Sequence, residues 1–100
     1  MSADEIPMYN GSFRLEGKTL VIQMNNPAGL MISRIDHAYQ NGNLYLSAHR
    51  ISTGTGLRIY RIDLAGFPTI DLKKNLYWIN PDSTTERIEA KYVKWATYSK

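Results

Sequence analysis

The chain has 100 residues, 43% of them hydrophobic, and 12 Lys and Arg against 9 Asp and Glu, a net charge of +3. That length suits one domain, and the apolar content is well above that of a disordered chain. With no cysteine there is neither a disulfide nor a thiolate zinc site, and no run approaches the roughly 18 apolar residues that span a bilayer.

At the N-terminus, Asp4 and Glu5 stand where a secretion leader carries basic residues, and no apolar stretch follows. That points to the cytoplasm, or to the cell envelope or exterior if the sequence is a mature domain. Asn10-Gly11-Ser12 is a glycosylation sequon, which has meaning only in a eukaryotic secretory protein. Residues 1–12 are expected to form a loosely ordered lead-in, and residues 13–100 a single domain.

Turn-forming clusters recur from there on: Gly17-Lys18, Asn25 to Gly29, Asn41-Gly42, Thr53 to Gly56, Ala65 to Pro68, Lys73 to Asn75 and Asn80 to Asp82. Glycine supplies positive φ, proline fixes φ, and Asn or Asp bonds back to its own backbone, so each cluster stops an extended run. The runs between them, 19–24, 31–40, 43–52, 57–64 and 76–80, are short and rich in β-branched and aromatic residues. Short strands with turns every 8–12 residues or so predict an all-β fold, a small antiparallel immunoglobulin-like sandwich of about seven strands. The alternative is a small β-barrel, with or without a short C-terminal helix.

Asn41-Gly42 favours a two-residue type I′ turn, because both central positions need positive φ. That turn pairs Gln40 with Asn43, Tyr39 with Leu44, His37 with Leu46 and Ile35 with Ala48. One face then carries Ile35, His37, Tyr39, Leu44, Leu46 and Ala48, and the other Arg34, Asp36, Ala38, Gln40, Asn43, Tyr45, Ser47 and His49. Both strands sort into an apolar and a polar face in one register, whereas a slip of one residue mixes them. His37 is accordingly expected buried and neutral.

In the next run the apolar pairs Leu57/Ile59 and Ile62/Leu64 have opposite parity. A bulge at Tyr60-Arg61 would give them one inward face; the other option is a strand covered on both sides. Leu76 to Ile79, four apolar residues in succession, predict a central strand buried on both faces. Beyond it, alternation of Ile88, Ala90 and Tyr92 predicts a strand over 85–92. A capping box at Ser83 to Glu86, with Ile88, Tyr92, Trp95 and Ala96 at helical spacing, supports a short helix instead.

Residues suited to chemistry are scattered. His37 and His49 point to opposite faces of the hairpin and cannot share a metal. Ser47, Asp36 and His49 share a face, but a flat sheet with no nucleophile elbow does not make a triad. Thr53 to Arg58 begins like a dinucleotide loop but has Ile59 where the third glycine belongs, and no helix follows. Asp63 and Asp71 have nothing to fix their separation as paired acids. No metal, cofactor or catalytic group is expected. What remains is a basic and aromatic set, Arg34, Tyr45, His49, Arg58, Tyr60 and Arg61, contributed with Arg50 by consecutive strands and forming a candidate binding surface. The expectation is a non-catalytic interaction or structural module with a protein partner, monomeric or weakly dimeric, and weak or no nucleic-acid binding. The alternatives are a single-stranded nucleic-acid binder, in which such cations and rings hold phosphates and bases, and a carbohydrate-binding sandwich.

Overall fold

A computed structural model describes residues 1–29, 31–51, 54–94 and 97–98, for the last two the backbone alone. The expected punctuation divides the chain into strands β1 (Phe13–Glu16), β2 (Thr19–Asn26), β3 (Met31–Gln40), β4 (Asn43–Ile51), β5 (Gly56–Asp63), β6 (Ile70–Asp71), β7 (Leu76–Ile79), β8 (Thr85–Arg87) and β9 (Thr97–Tyr98). Single 3-10 turns form at Ala3–Glu5 and Ala90–Tyr92. No described helix is long and apolar enough to cross a membrane. A three-stranded sheet, β1-β2-β5, packs against a four-stranded one, β3-β4-β7-β8, and β6 pairs with β9. The fold is a small β-sandwich, not a closed barrel.

The β3–β4 hairpin follows the register read from the sequence, from Gln40 opposite Asn43 back to Arg34 opposite His49. Asn41 and Gly42 have φ of 53° and 84°, as a type I′ turn requires. Ser33 is the extra residue of a bulge between Ile32 and Arg34, and its hydroxyl donates to the His49 carbonyl at 3.0 Å. The run predicted to end at Ser52 passes there beyond the described residues, as does Thr53 in the following glycine-rich connection.

One ladder departs from the antiparallel expectation: β4 and β7 run parallel, with Leu44, Tyr45 and Leu46 opposite Leu76, Tyr77 and Trp78. Parallel neighbours need a long crossover. Here the chain supplies it by leaving β4 for the other sheet, forming β5 there, and returning as β7.

The core lies between the layers. Phe13, Leu20, Ile22, Met24 and Ile62 from one sheet meet Ile32, Leu44, Leu46, Ala48, Leu76 and Trp78 from the other. Phe13 and Trp78 are in tilted ring contact, 6.0 Å between centroids. Each fully buried aliphatic or aromatic side chain contributes about 1.5–3 kcal/mol relative to exposure, so these alternating inward positions carry the stability.

Several expectations are corrected. There is no bulge at Tyr60-Arg61, because β5 pairs with β2 without interruption from Asn26–Gly56 to Thr19–Asp63. Ile62 and Leu64 point inward, and Leu57 and Ile59 stand on the outer face. The strand is apolar on opposite sides at its two ends. His37 is exposed, not buried. It lies on an edge strand, where the loop residue Phe67 meets its ring edge-on at 5.8 Å and stacks on Tyr39 at 5.7 Å. In β7, Leu76 and Trp78 are buried, but Tyr77 and Ile79 on the other face are only half-buried. The C-terminal segment is neither the full strand nor the helix. A three-residue β8 ends where Ile88 turns into the core, a 3-10 turn follows, and Val93 bridges in parallel to Phe13 at the edge of the other sheet. Trp95 and Ala96, half of the helical pattern, lie outside the described residues.

Residues 1–12 are packed rather than loose. Ala3 and Ile6 belong to the buried core, and the Ala3 amide donates to Asn80 Oδ1 at 2.8 Å. The Trp78 indole N–H reaches Met8 Sδ at 3.3 Å. Glu5 closes a capping box with Ser2 and faces Arg50 at 3.6 Å. The Ser2 amide is the main reason its carboxyl titrates below the usual range.

Candidate interaction face

Because successive strand residues point to opposite sides, the inward Leu, Ala and Trp positions of the four-stranded sheet fix what its outer face presents. The registers line up Ala38, Tyr45, Tyr77 and Arg87 as one row across all four strands. Asp36 and Ser47 are opposite each other in the next row, as are Ile79 and Thr85, and Arg34 faces His49 beyond them. Tyr45 and Tyr77 stack with centroids 5.3 Å apart and planes 29° from parallel, and Asn43 Nδ2 donates to the Tyr45 hydroxyl at 3.3 Å. Beside them is a depression of about 420 Å³ lined by Ala38, Gln40, Tyr45, Ile79, Ser83 and Thr85.

At one end, Asp36 Oδ2 is 2.8 Å from His49 Nε2, and Oδ1 is 3.3 Å from Arg34 Nε. These side chains are 43–67% exposed, so the cluster adds at most about 1 kcal/mol of stability. Asp36 is the only carboxylate among the outward positions of β3, β4, β7 and β8, set against the two arginines Arg34 and Arg87, and none of those positions is lysine or glutamate. Among the described residues, no serine hydroxyl is hydrogen-bonded to the His49 ring, and the depression of about 240 Å³ that His49 and Ser47 line does not include Asp36. No group of three His, Asp or Glu residues is placed to hold a metal ion among the described residues. Asp63 and Asp71 each accept the backbone N–H two residues on, from Ala65 at 2.9 Å and Lys73 at 3.1 Å, which is the work of turn formers.

The six candidate residues are not brought together. Arg34, Tyr45 and His49 share the face just described. Arg61 is on the outer face of the opposite sheet, in the same row as Val21. Arg58 and Tyr60 take inward-pointing positions of β5, where the sheets meet. The Tyr60 hydroxyl donates to the Ile32 carbonyl, and Arg58 Nη1 lies 3.1 Å from Met31 Sδ. Arg50 follows the inward parity of β4 and turns to Glu5. Sequence reasoning missed Tyr77, Ile79, Thr85 and Arg87, the contribution of two of the face's four strands. The aromatic Tyr77 was visible, but inside an unbroken apolar run that reads as buried on both sides. Only the β4–β7 ladder reveals that it stacks on Tyr45.

Compared with family models, curated proteins and solved structures, the chain matches none.

Proposed function

We propose that the protein is a non-catalytic interaction module, a β-sandwich that presents the outer face of its four-stranded sheet to a protein partner. The observation that carries this is the composition of that face. Protein surfaces ordinarily carry lysine and glutamate, whereas the centres of protein interfaces are enriched in tyrosine and arginine and depleted of lysine and carboxylates. Here a Tyr45–Tyr77 pair occupies the middle row, with Arg87, Arg34 and His49 around it, no lysine, and one carboxylate already matched by Arg34 and hydrogen-bonded to His49. Serine, threonine, asparagine and glutamine fill the remaining polar positions, the adaptable hydrogen-bonding set that recognition surfaces use beside rigid tyrosines. The immunoglobulin-like form of the fold fits the three- and four-stranded layers and the central hairpin. The parallel β4–β7 ladder is its point of difference.

The other two partner classes find less support. A nucleic-acid platform needs its cations and rings on one surface, and Arg61 faces away from Arg34 and His49. A sugar platform needs open ring faces, and Tyr45 and Tyr77 turn theirs toward each other. The test is affinity capture with the full chain, the Tyr45→Lys and Tyr77→Lys variants, and Arg61→Glu as the control on the opposite face, each first shown to unfold cooperatively. A protein retained by the wild type and by Arg61→Glu, but lost from both tyrosine variants, is the expected result. Retention that ignores the tyrosines overturns the assignment. So does fluorescence anisotropy showing micromolar binding of a single-stranded oligonucleotide at physiological salt, lost with Arg34→Ala and Tyr45→Ala, instead of the dissociation constant of about 10⁻⁴ M or weaker expected for non-specific contact.

A further inference from the structure

The two sheets have four edges among the described residues, and three of them are guarded in the ways soluble sheets use. The edge of β1 is covered by Val93, with the Lys94 amide donating to the Phe13 carbonyl at 2.7 Å. β8 is only three residues long. β3 is kinked by its bulge at Ser33 and carries Arg34 and Asp36. β5 shares only the charges, at Arg58, Arg61 and Asp63. It runs eight residues without a bulge, proline or lysine, and it holds Leu57 at 60% and Ile59 at 41% exposure on its outer face.

We infer that β5 is a self-association edge, on which β5 of a second copy adds antiparallel about a two-fold axis at Ile59. The second copy is the occupant that the side-chain order fits. With Ile59 opposite Ile59, Leu57 lies opposite Arg61, whose aliphatic stem covers it, and Arg58 lies opposite the Tyr60 ring, while Asp63 meets Thr55. Each pairing off the axis occurs twice, and no like charges oppose each other. Neighbouring registers that keep the same faces together are worse. Centring on Arg58 or on Arg61 sets two guanidinium groups against each other, centring on Tyr60 puts Leu57 against Asp63, and centring on Leu57 leaves Arg58 and Tyr60 opposite glycines. The result is an isologous dimer in which two three-stranded sheets become one of six strands, with the apolar patches of both copies in contact at the axis. The outer face of the four-stranded sheet stays free, so this interface is independent of the one proposed above.

The absence of cysteine makes the arrangement directly readable. Residues directly opposite in an antiparallel pair have Cα atoms about 4.5–5.5 Å apart, within disulfide reach. The expected result is that Ile59→Cys gives a disulfide-linked dimer as the main species under mild oxidation. Ile51→Cys, at a similarly exposed site of 44% on the other sheet, links several-fold more slowly. Sedimentation of the wild type should show a mass rising toward twice the monomer with concentration, and Ile59→Lys should remain monomeric with an unchanged melting temperature in dilute solution. A wild type that stays monomeric across the concentration series overturns the inference. So does Ile51→Cys cross-linking as fast as Ile59→Cys.

Discussion

Asn26 is one of two buried polar or charged residues among those described, 2% exposed where the chain leaves the three-stranded sheet for the four-stranded one. Its Oδ1 accepts the Ile32 amide at 3.1 Å, its Nδ2 donates to the Gly56 carbonyl at 3.2 Å, and its own carbonyl accepts the Thr55 hydroxyl at 2.9 Å. One side chain thereby ties β2 to the beginnings of β3 and β5, and the Tyr60 hydroxyl reaches the same seam. Burial makes these bonds matter, because the Ile32 amide has no water to turn to if its acceptor is removed. Asn26→Ala is therefore expected to cost about 1–3 kcal/mol, the penalty for orphaning a buried donor, seen as a lower urea midpoint with an unchanged m-value. A loss below about 0.5 kcal/mol, the level of an ordinary surface change, contradicts the clamp. The sequence shows Asn25 and Asn26 only as turn formers. The pairing that buries Asn26 joins it to residues at the starts of two later strands, β3 and β5, and no local pattern announces that. The same holds for Tyr60, which reads as a surface residue until the uninterrupted β2–β5 register points it inward, whereas Arg58 shares that parity and stays exposed.

At the scale of elements, the β3–β4 hairpin is legible because two independent signals agree within one short stretch of chain. The Asn-Gly turn fixes the register, and the hydrophobic alternation of both strands then confirms it. The hairpin also allows a clean test, since a Cβ added at Gly42 meets nothing within 4 Å and any penalty comes from the backbone angle alone. Gly42→Val should lose at least about 1–2 kcal/mol, the cost of the left-handed region for an L-residue, made worse by β-branching. Gly42→Asn, which tolerates positive φ, should lose much less. Equal melting temperatures for the two variants rule out the type I′ turn as the source of the register. β5 resists the same reading because its apolar residues change parity midway. A bulge is the economical explanation in sequence, yet the fold leaves Leu57 and Ile59 exposed on an open edge. β8 and the turn after it resist for another reason. Strand and helix periods fit residues 85–92 about equally well, and tertiary pull on Ile88 and Val93, which bury into the core, ends the strand after three residues.

Across the whole molecule, the two layers, the approximate strand number and most of the core were legible, because inward alternation must be satisfied in any sandwich these strands can build. The ordering of the strands was not. The β4–β7 ladder depends on the chain crossing to the opposite layer and back, and that connection brings Tyr77 beside Tyr45 and completes the candidate face. The N-terminal segment was also hidden. Its few apolar residues show no strand period, yet Ile6 is 6% exposed and Ala3 9%, and Asn80 at the end of β7 holds the segment through the Ala3 amide. If these residues close the core, Ile6→Ala should cost about 2–5 kcal/mol, as large-to-small changes in packed interiors do. Ile51→Ala makes the same chemical change at a 44% exposed site and should stay within about 0.5 kcal/mol. Chemical denaturation of the two variants beside the wild type decides the matter through their difference, which cancels most of the unfolded-state contribution that the two share. A large gap makes the first residues a third contributor to the core, capping the end where Trp78 meets Met8. Equal, small losses would return them to a loose lead-in and leave the Ala3–Asn80 bond as a surface contact.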